Sequence, residues 1–248
     1  MIHTFARRWT ICFRSTIPGL CVAMLMLPSL SGCAIFSQVL GAAAPTVHPA
    51  AYKHMADQSV TVMVWADDGV KIDNPRIQFD VEQMVMAKMQ EAQKTNKPDE
   101  LKLTRFPVSA GSVSRFQEEH TELVADPIDE IAPRFGTSRV IYVEIHSFQT
   151  RSEASNDLFR GVMKGSVQVV EVTHGKGKVV PVDDNLEIKF PRTSPEEGLP
   201  NIGDYAIYNG TLDGFATEVA KLFAPHADDP DAPYAARTSS TASESAGS

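Results

Sequence analysis

Residues 59–66, Ser-Val-Thr-Val-Met-Val-Trp-Ala, constrain the fold more than any other stretch of the chain. Their β-branched and aromatic side chains favour extended backbone, and beyond Thr61 the segment is apolar on both faces. Such a strand belongs inside a sheet with helices to cover it. Asp67-Asp68-Gly69 closes it, and Asn74-Pro75 opens a helix, because the proline holds Asn74 in the extended conformation that a cap needs. Ile77, Val81, Met84, Val85, Met89 and Ala92 then recur three or four apart, the spacing of one helical face. Most of the methionines fill the core on this reading, with Met86 left facing outward.

Lys97-Pro98 ends that helix, and Leu101–Phe106 reads as a short, more polar second strand near an edge. A weaker helix spans Ser112–His120. Asp126-Pro127 and Gly136 bracket a further short helix, whose last turn Pro133 must kink or tighten. Arg139–Phe148 is the second strong strand. Phe159–Val172 and Lys178–Phe190 form a long hairpin turned at residues 173–177, with Pro181 at an edge or bulge. Tyr205–Phe223 supplies a last helix, with Ile207, Leu212, Phe215, Ala216 and Val219 on its apolar face. The order β-α-β-α-β-β-β-α predicts a single α/β domain over residues 58–224, with a mixed β-sheet, crossover helices and a late antiparallel hairpin.

The amino-terminal residues carry a different signal. Arg7, Arg8 and Arg14 precede an apolar run at residues 17–27 that is too short to span a bilayer, and Leu30-Ser31-Gly32-Cys33 resembles the lipobox of bacterial lipoproteins. Residues 1–32 therefore read as a lipoprotein signal peptide and Cys33 as the lipidation site, a target for palmitate and an anchor in the membrane. Cys12 and Cys21 leave with the signal, so no thiol remains to pair. Ala34 lacks the acidic side chain that commonly retains lipoproteins in the inner membrane, which gives the cell outer membrane, periplasmic face, as the expected location. Residues 33–57 read as the lipidated cysteine and a tether, and residues 225–248, rich in Pro, Ser and Thr, as a tail without structure.

Charge and side-chain chemistry narrow the function classes. The chain has 23 Lys and Arg against 31 Asp and Glu, a net charge of −8, and no basic stripe, which argues against nucleic acid as a partner. Alternation along the strand puts Ser147 on the face opposite His146, so the two do not form a nucleophile and base. Asp67 and Asp68 at one strand end, with Glu144 and His146 on the neighbouring strand, form the one candidate metal or hydrolase site; their spacing matches no metal-binding motif. His48, His54, His120, His174 and His226 fall in flanks, a helix end and a turn, and read as solvated. Gly175-Lys176-Gly177-Lys178 lacks the strand-to-helix context of a phosphate loop and reads as the hairpin turn. No cofactor is expected.

The stretches DPIDEIAPRFGTSRVIYVEI (126–145) and FRGVMKGSVQVVEVTHGKGKVV (159–180), with the element order, carry a family likeness. They resemble envelope lipoproteins whose domain is similar to the amino-terminal domain of TolB, a group that includes the curli secretion lipoprotein CsgG and the penicillin-binding-protein activator LpoB. The resemblance implies a non-enzymatic binding or assembly accessory whose partner is another envelope protein or a second copy of the chain. No pair of amphipathic pore-forming hairpins is present, so the likeness stops short of channel formation. The hairpin at 159–190 and the loop at Thr193–Gly203 are the expected contact regions.

Overall fold

A computed structural model of the chain describes residues 46–95, 98–122, 126–152 and 155–237. In chain order its elements are β1 (Val47–His48), β2 (Val60–Ala66), α1 (Asp68–Asp73), α2 (Ile77–Thr95), α3 (Ala110–Glu119), α4 (Ile128–Ile131, extended by a 3-10 turn over Ala132–Phe135), β3 (Arg139–Ser152), β4 (Ser155–Thr173), β5 (Lys176–Phe190), α5 (Asp204–Lys221), β6 (His226–Ala227) and β7 (Ala235–Arg237). The signal segment 1–32, Cys33, the start of the tether and residues 238–248 lie outside the described residues.

One mixed sheet in the order β2-β3-β4-β5-β7 organises the domain. β2 and β3 run parallel, in register from Val60↔Arg139 to Ala66↔Ile145, and the remaining pairs are antiparallel. The α/β class, the crossover helices and the late hairpin are therefore as the sequence predicts. The hairpin turns through His174 (φ 52°) and Gly175 (φ 74°), two left-handed residues as a two-residue primed turn requires. Gly136 takes the left-handed conformation (φ 67°) after the 3-10 turn that Pro133 tightens. The register shifts between Val167 and Gln168, whose partner is Pro181, which places that proline at a bulge.

The two faces of the sheet are covered unequally. α2 and α5 pack on one face over Val62, Val64, Ile141, Val143, Ile145, Met163, Val167 and Val169. α3 and α4 cover only one end of the other face, over Met63, Val140 and Val170. β4 shows the division directly. Its odd-numbered residues, Gly161 to Val169, face α5, and its even-numbered residues, Arg160 to Val172, face the other way. Gly161 lets α5 approach, since a Cβ there would lie 1.7 Å from Thr211 Oγ1, a buried hydroxyl that donates to the Ile207 carbonyl. Gly161→Ala is accordingly expected to destabilise the domain by about 1–3 kcal/mol in chemical denaturation. Gly69→Ala serves as control, because nothing lies within 4 Å of a Cβ at that helical site. Equal midpoints for the two variants would mean that α5 is not seated on β4.

Several expectations are corrected. Leu101–Phe106 is not a strand: Asp99–Leu101 is a 3-10 turn, Leu103 has φ 58°, and Arg105 makes an isolated parallel bridge to Ser59. Gln93 on α2 donates to the carbonyls of Leu101 (2.8 Å) and Thr104 (3.0 Å), occupying groups that a strand would offer to a neighbour. Asp67-Asp68-Gly69 closes β2 as expected but also opens a helix that the sequence did not suggest, α1. Asn74 caps the end of α1 by donating from Nδ2 to the Val70 carbonyl (3.4 Å), while its own carbonyl accepts from the Ile77 N–H (3.0 Å) at the start of α2. Met86 packs partly buried against the core. Neither flank is bare chain over the described residues. β1 pairs with β6, and Ala50, Tyr52 and Met55 are buried. The Tyr52 hydroxyl donates to Glu171 (2.7 Å) and accepts from Arg139 Nε (3.0 Å). β7 joins the sheet beside β5, with Ala232 and Tyr234 buried before it. The domain therefore extends beyond residues 58–224 at both ends. Among the described residues, no helix is long and apolar enough to cross a membrane.

Candidate functional site

The four residues of the metal or hydrolase alternative do not converge. Asp67 sits at the start of α1, where its N–H donates to the Ile145 carbonyl (3.0 Å). Asp68 is exposed and pairs with Lys71 at 2.8 Å. Glu144 is half-buried, accepting from the Tyr142 hydroxyl (3.1 Å) and from Ser166 Oγ (3.2 Å). His146 is exposed at a register shift between Ile145 and Ser147, the extra residue of a bulge that breaks the alternation assumed from sequence. Among the described residues, no three His, Cys, Asp or Glu side chains stand together as metal ligands. Four of the histidines read as solvated are engaged: His48 stacks on His226 with ring centroids 5.6 Å apart and reaches Asp228 at 3.1 Å, His120 stacks on Phe116 at 4.6 Å, and His54 meets the Tyr52 ring edge-on at 5.7 Å.

What the sheet leaves free is the far part of its second face. Following the even-numbered residues of β4 from its end, Val172 and Val170 lie with the α3 and α4 cluster, and Gln168 borders a cleft of about 280 Å³. Beyond it, Lys164, Val162 and Arg160 line a wider groove of about 550 Å³ together with Ser147, Gln149 and Lys189. Charge in this groove is mixed. Lys189 pairs with Glu187 at 3.2 Å, and Arg160 Nη1 donates to the Glu196 carbonyl at 2.8 Å, so the loop predicted as a contact region forms one wall.

The sheet edges are less open than the sequence suggests. At the β2 edge, the Val64 N–H donates to Glu82 Oε1 (3.0 Å), Gln117 Nε2 donates to the Val64 carbonyl (2.8 Å), and the Val60 N–H donates to the Arg105 carbonyl (2.7 Å). Side chains of α2 and α3 thus occupy the positions that an added strand would need. At the opposite side β7 covers Glu187–Lys189 of β5. The open sheet face, more than an edge, is the available surface.

The cleft has its own chemistry. Trp65, Phe116 and Tyr142 supply aromatic surface, and Glu144 and Asp126 supply carboxylates at its walls. His120 Nδ1 lies 3.0 Å from the Phe116 carbonyl, which can only accept, so Nδ1 carries a hydrogen and donates it there. Burial, followed by the charge of Glu144 and its hydrogen bond and by the charge of Asp67, drives the Tyr142 phenol well above its ordinary range. It stays protonated and donates to Glu144. Sequence reading found Glu144 and missed Tyr142 and Ser166 as its partners; Tyr142 shares its face by simple alternation, whereas Ser166 requires the register of β3 on β4.

No family model matches the chain, and no curated protein matches it. Among solved structures it is similar to the PelC dodecamer from Paraburkholderia phytofirmans, at 10% identity over 73% of this chain and 99% of that one, with a TM-score of 0.34. It is also similar to lipoprotein GNA1162 from Neisseria meningitidis, at 13% identity over 65% of this chain and 97% of that one, with a TM-score of 0.37. A third similar structure is the hypothetical protein CT253 from Chlamydia trachomatis, at 14% identity over 66% and 97%, with a TM-score of 0.31.

Proposed function

We propose that the chain is an envelope lipoprotein, anchored through Cys33 at the periplasmic face of the outer membrane, that acts without catalysis as a binding or assembly accessory for another envelope protein or for further copies of itself. The observation that carries the reading is the half-covered sheet: one face is sealed by α2 and α5, while the other continues past α3 and α4 into an open groove of mixed charge. An interface rim has that polar composition. The likeness of residues 126–145 and 159–180 to TolB-type envelope lipoproteins supports the accessory role, and Leu30-Ser31-Gly32-Cys33 supports the anchor. Val47 follows Cys33 by 14 residues, so the lipid end stands no more than about 50 Å from the domain even at full extension.

Two experiments test the parts separately. Cys33→Ser is expected to abolish labelling with a palmitate analogue, and continued labelling of that variant would contradict the anchor. Lys164→Glu inverts a charge at an exposed position in the groove. It is expected to reduce recovery of the crosslinked partner, or the chain's own oligomer in sedimentation, at least tenfold with an unchanged melting temperature. Unchanged recovery would place the contact elsewhere.

A further inference from the structure

We infer that the cleft beside Glu144 binds an organic cation, an ammonium or guanidinium group carried on an apolar stem. Its walls combine three aromatic rings, Trp65, Phe116 and Tyr142, with the carboxylate of Glu144, and among the residues that line it there is no Lys or Arg. Both Glu144 oxygens already accept a hydrogen bond, yet from neutral hydroxyls, Tyr142 and Ser166, so the negative charge is oriented and not neutralised. Each carboxylate oxygen keeps a further lone pair for a ligand. A second carboxylate, Asp126, which lies 3.8 Å from Arg134, also lines the cleft. The Tyr142 hydroxyl is spent on Glu144, and Gln117 Nε2 gives one of its two hydrogens to the Val64 carbonyl. A ring quadrupole and a carboxylate beside it both attract a cation. The Trp65 ring already serves this way for Lys71, whose Nζ lies 4.2 Å from its centroid. At about 280 Å³ the cleft has room for one side chain or a small amine.

Two sources carry this chemistry: a free amine or guanidine, and a basic side chain presented by a partner protein. The inference stands apart from the groove, because different variants test the two. Isothermal titration of the full chain in detergent with n-butylguanidinium and with N-acetylarginine methylamide, against n-butanol, decides the matter. Saturable binding of both cations is expected, with no saturable heat from butanol. Glu144→Gln should weaken it at least tenfold, and Phe116→Leu, which keeps apolar bulk but removes an aromatic face, at least threefold. Whichever cation binds more tightly identifies the source. Absence of saturable cation binding, equal binding by butanol, or cation binding that survives both substitutions would overturn the assignment.

Discussion

Truncation after Ala224 is expected to cost the domain at least about 4 kcal/mol, enough to leave it largely unfolded at physiological temperature. The sequence alone predicts the opposite, since residues 225–248 are poor in apolar side chains. The decisive residue is Tyr234, 6% exposed, whose ring sits against Gly214 so closely that a Cβ on that glycine would lie 2.8 Å from it. Its hydroxyl donates to Glu218 Oε1 at 2.9 Å, a buried carboxylate that also pairs with Lys221. Losing a buried aromatic ring typically costs 3–5 kcal/mol, and an unreplaced hydrogen bond to a buried charge adds to that. The same truncation strips β7 from β5 and leaves β1 without its partner strand β6. Urea unfolding of the truncated chain, with Tyr234→Ala beside it, measures this. A loss below 1 kcal/mol in both would mean that the segment does not pack on α5.

The second large effect concerns pH. Glu82 is 1% exposed on α2, and burial pushes its carboxyl from the ordinary 4.5 up to about 8, against the smaller opposing pull of the Val64 amide and the nearby Ser114 hydroxyl. Oε1 accepts from the Val64 N–H, while Oε2 and Ser114 Oγ make no hydrogen bond within ordinary geometry. A protonated Glu82 supplies the missing donor. Because the folded pKa exceeds the unfolded one, the folded state holds the extra proton between the two values. Stability from this group is therefore fully present below about pH 4.5 and falls with rising pH, by at most about 1.4 kcal/mol per pH unit, until about pH 8, about 3.5 kcal/mol across pH 5 to 8. Glu82→Gln keeps an acceptor for Val64, adds a donor for Ser114 and cannot ionise. It should be more stable than the parent by a few kcal/mol at pH 8 and nearly equal to it at pH 5. Parallel stability profiles for the two proteins would mean that the buried carboxyl is not the titrating group.

These two residues also show where sequence reading stops. Apolar runs made Val60–Ala66 and Arg139–Ile145 legible as strands, and Gly136 and Gly175 marked the turns before β3 and between β4 and β5. The expectation that Val60–Ala66 lies inside the sheet fails: it is covered on both faces yet forms the sheet edge, where Glu82 and Gln117 take the place of a neighbouring strand at Val64. Glu82 lies between Val81 and Met84 on a helix that reads as amphipathic, and nothing local says that an edge-strand amide needs its carboxylate. Tyr234 is one aromatic residue in a polar run, so averaging over the run hides it. The bulge at His146 is equally silent, and it separates that histidine from Glu144, whose partner Ser166 comes from the next strand. A site assembled from alternation on one strand fails at the first irregularity in the ladder.

The most direct test of the binding role is a photoreactive amino acid placed at Val162, in the open groove, and separately at Leu103, an apolar residue 65% exposed outside it. Irradiation of intact cells is expected to give a discrete crosslinked species from position 162, to an envelope protein or to a second copy of the chain, and none from position 103. Crosslinks from position 103 with none from 162 would contradict the assignment of the open sheet face as the surface through which this protein works.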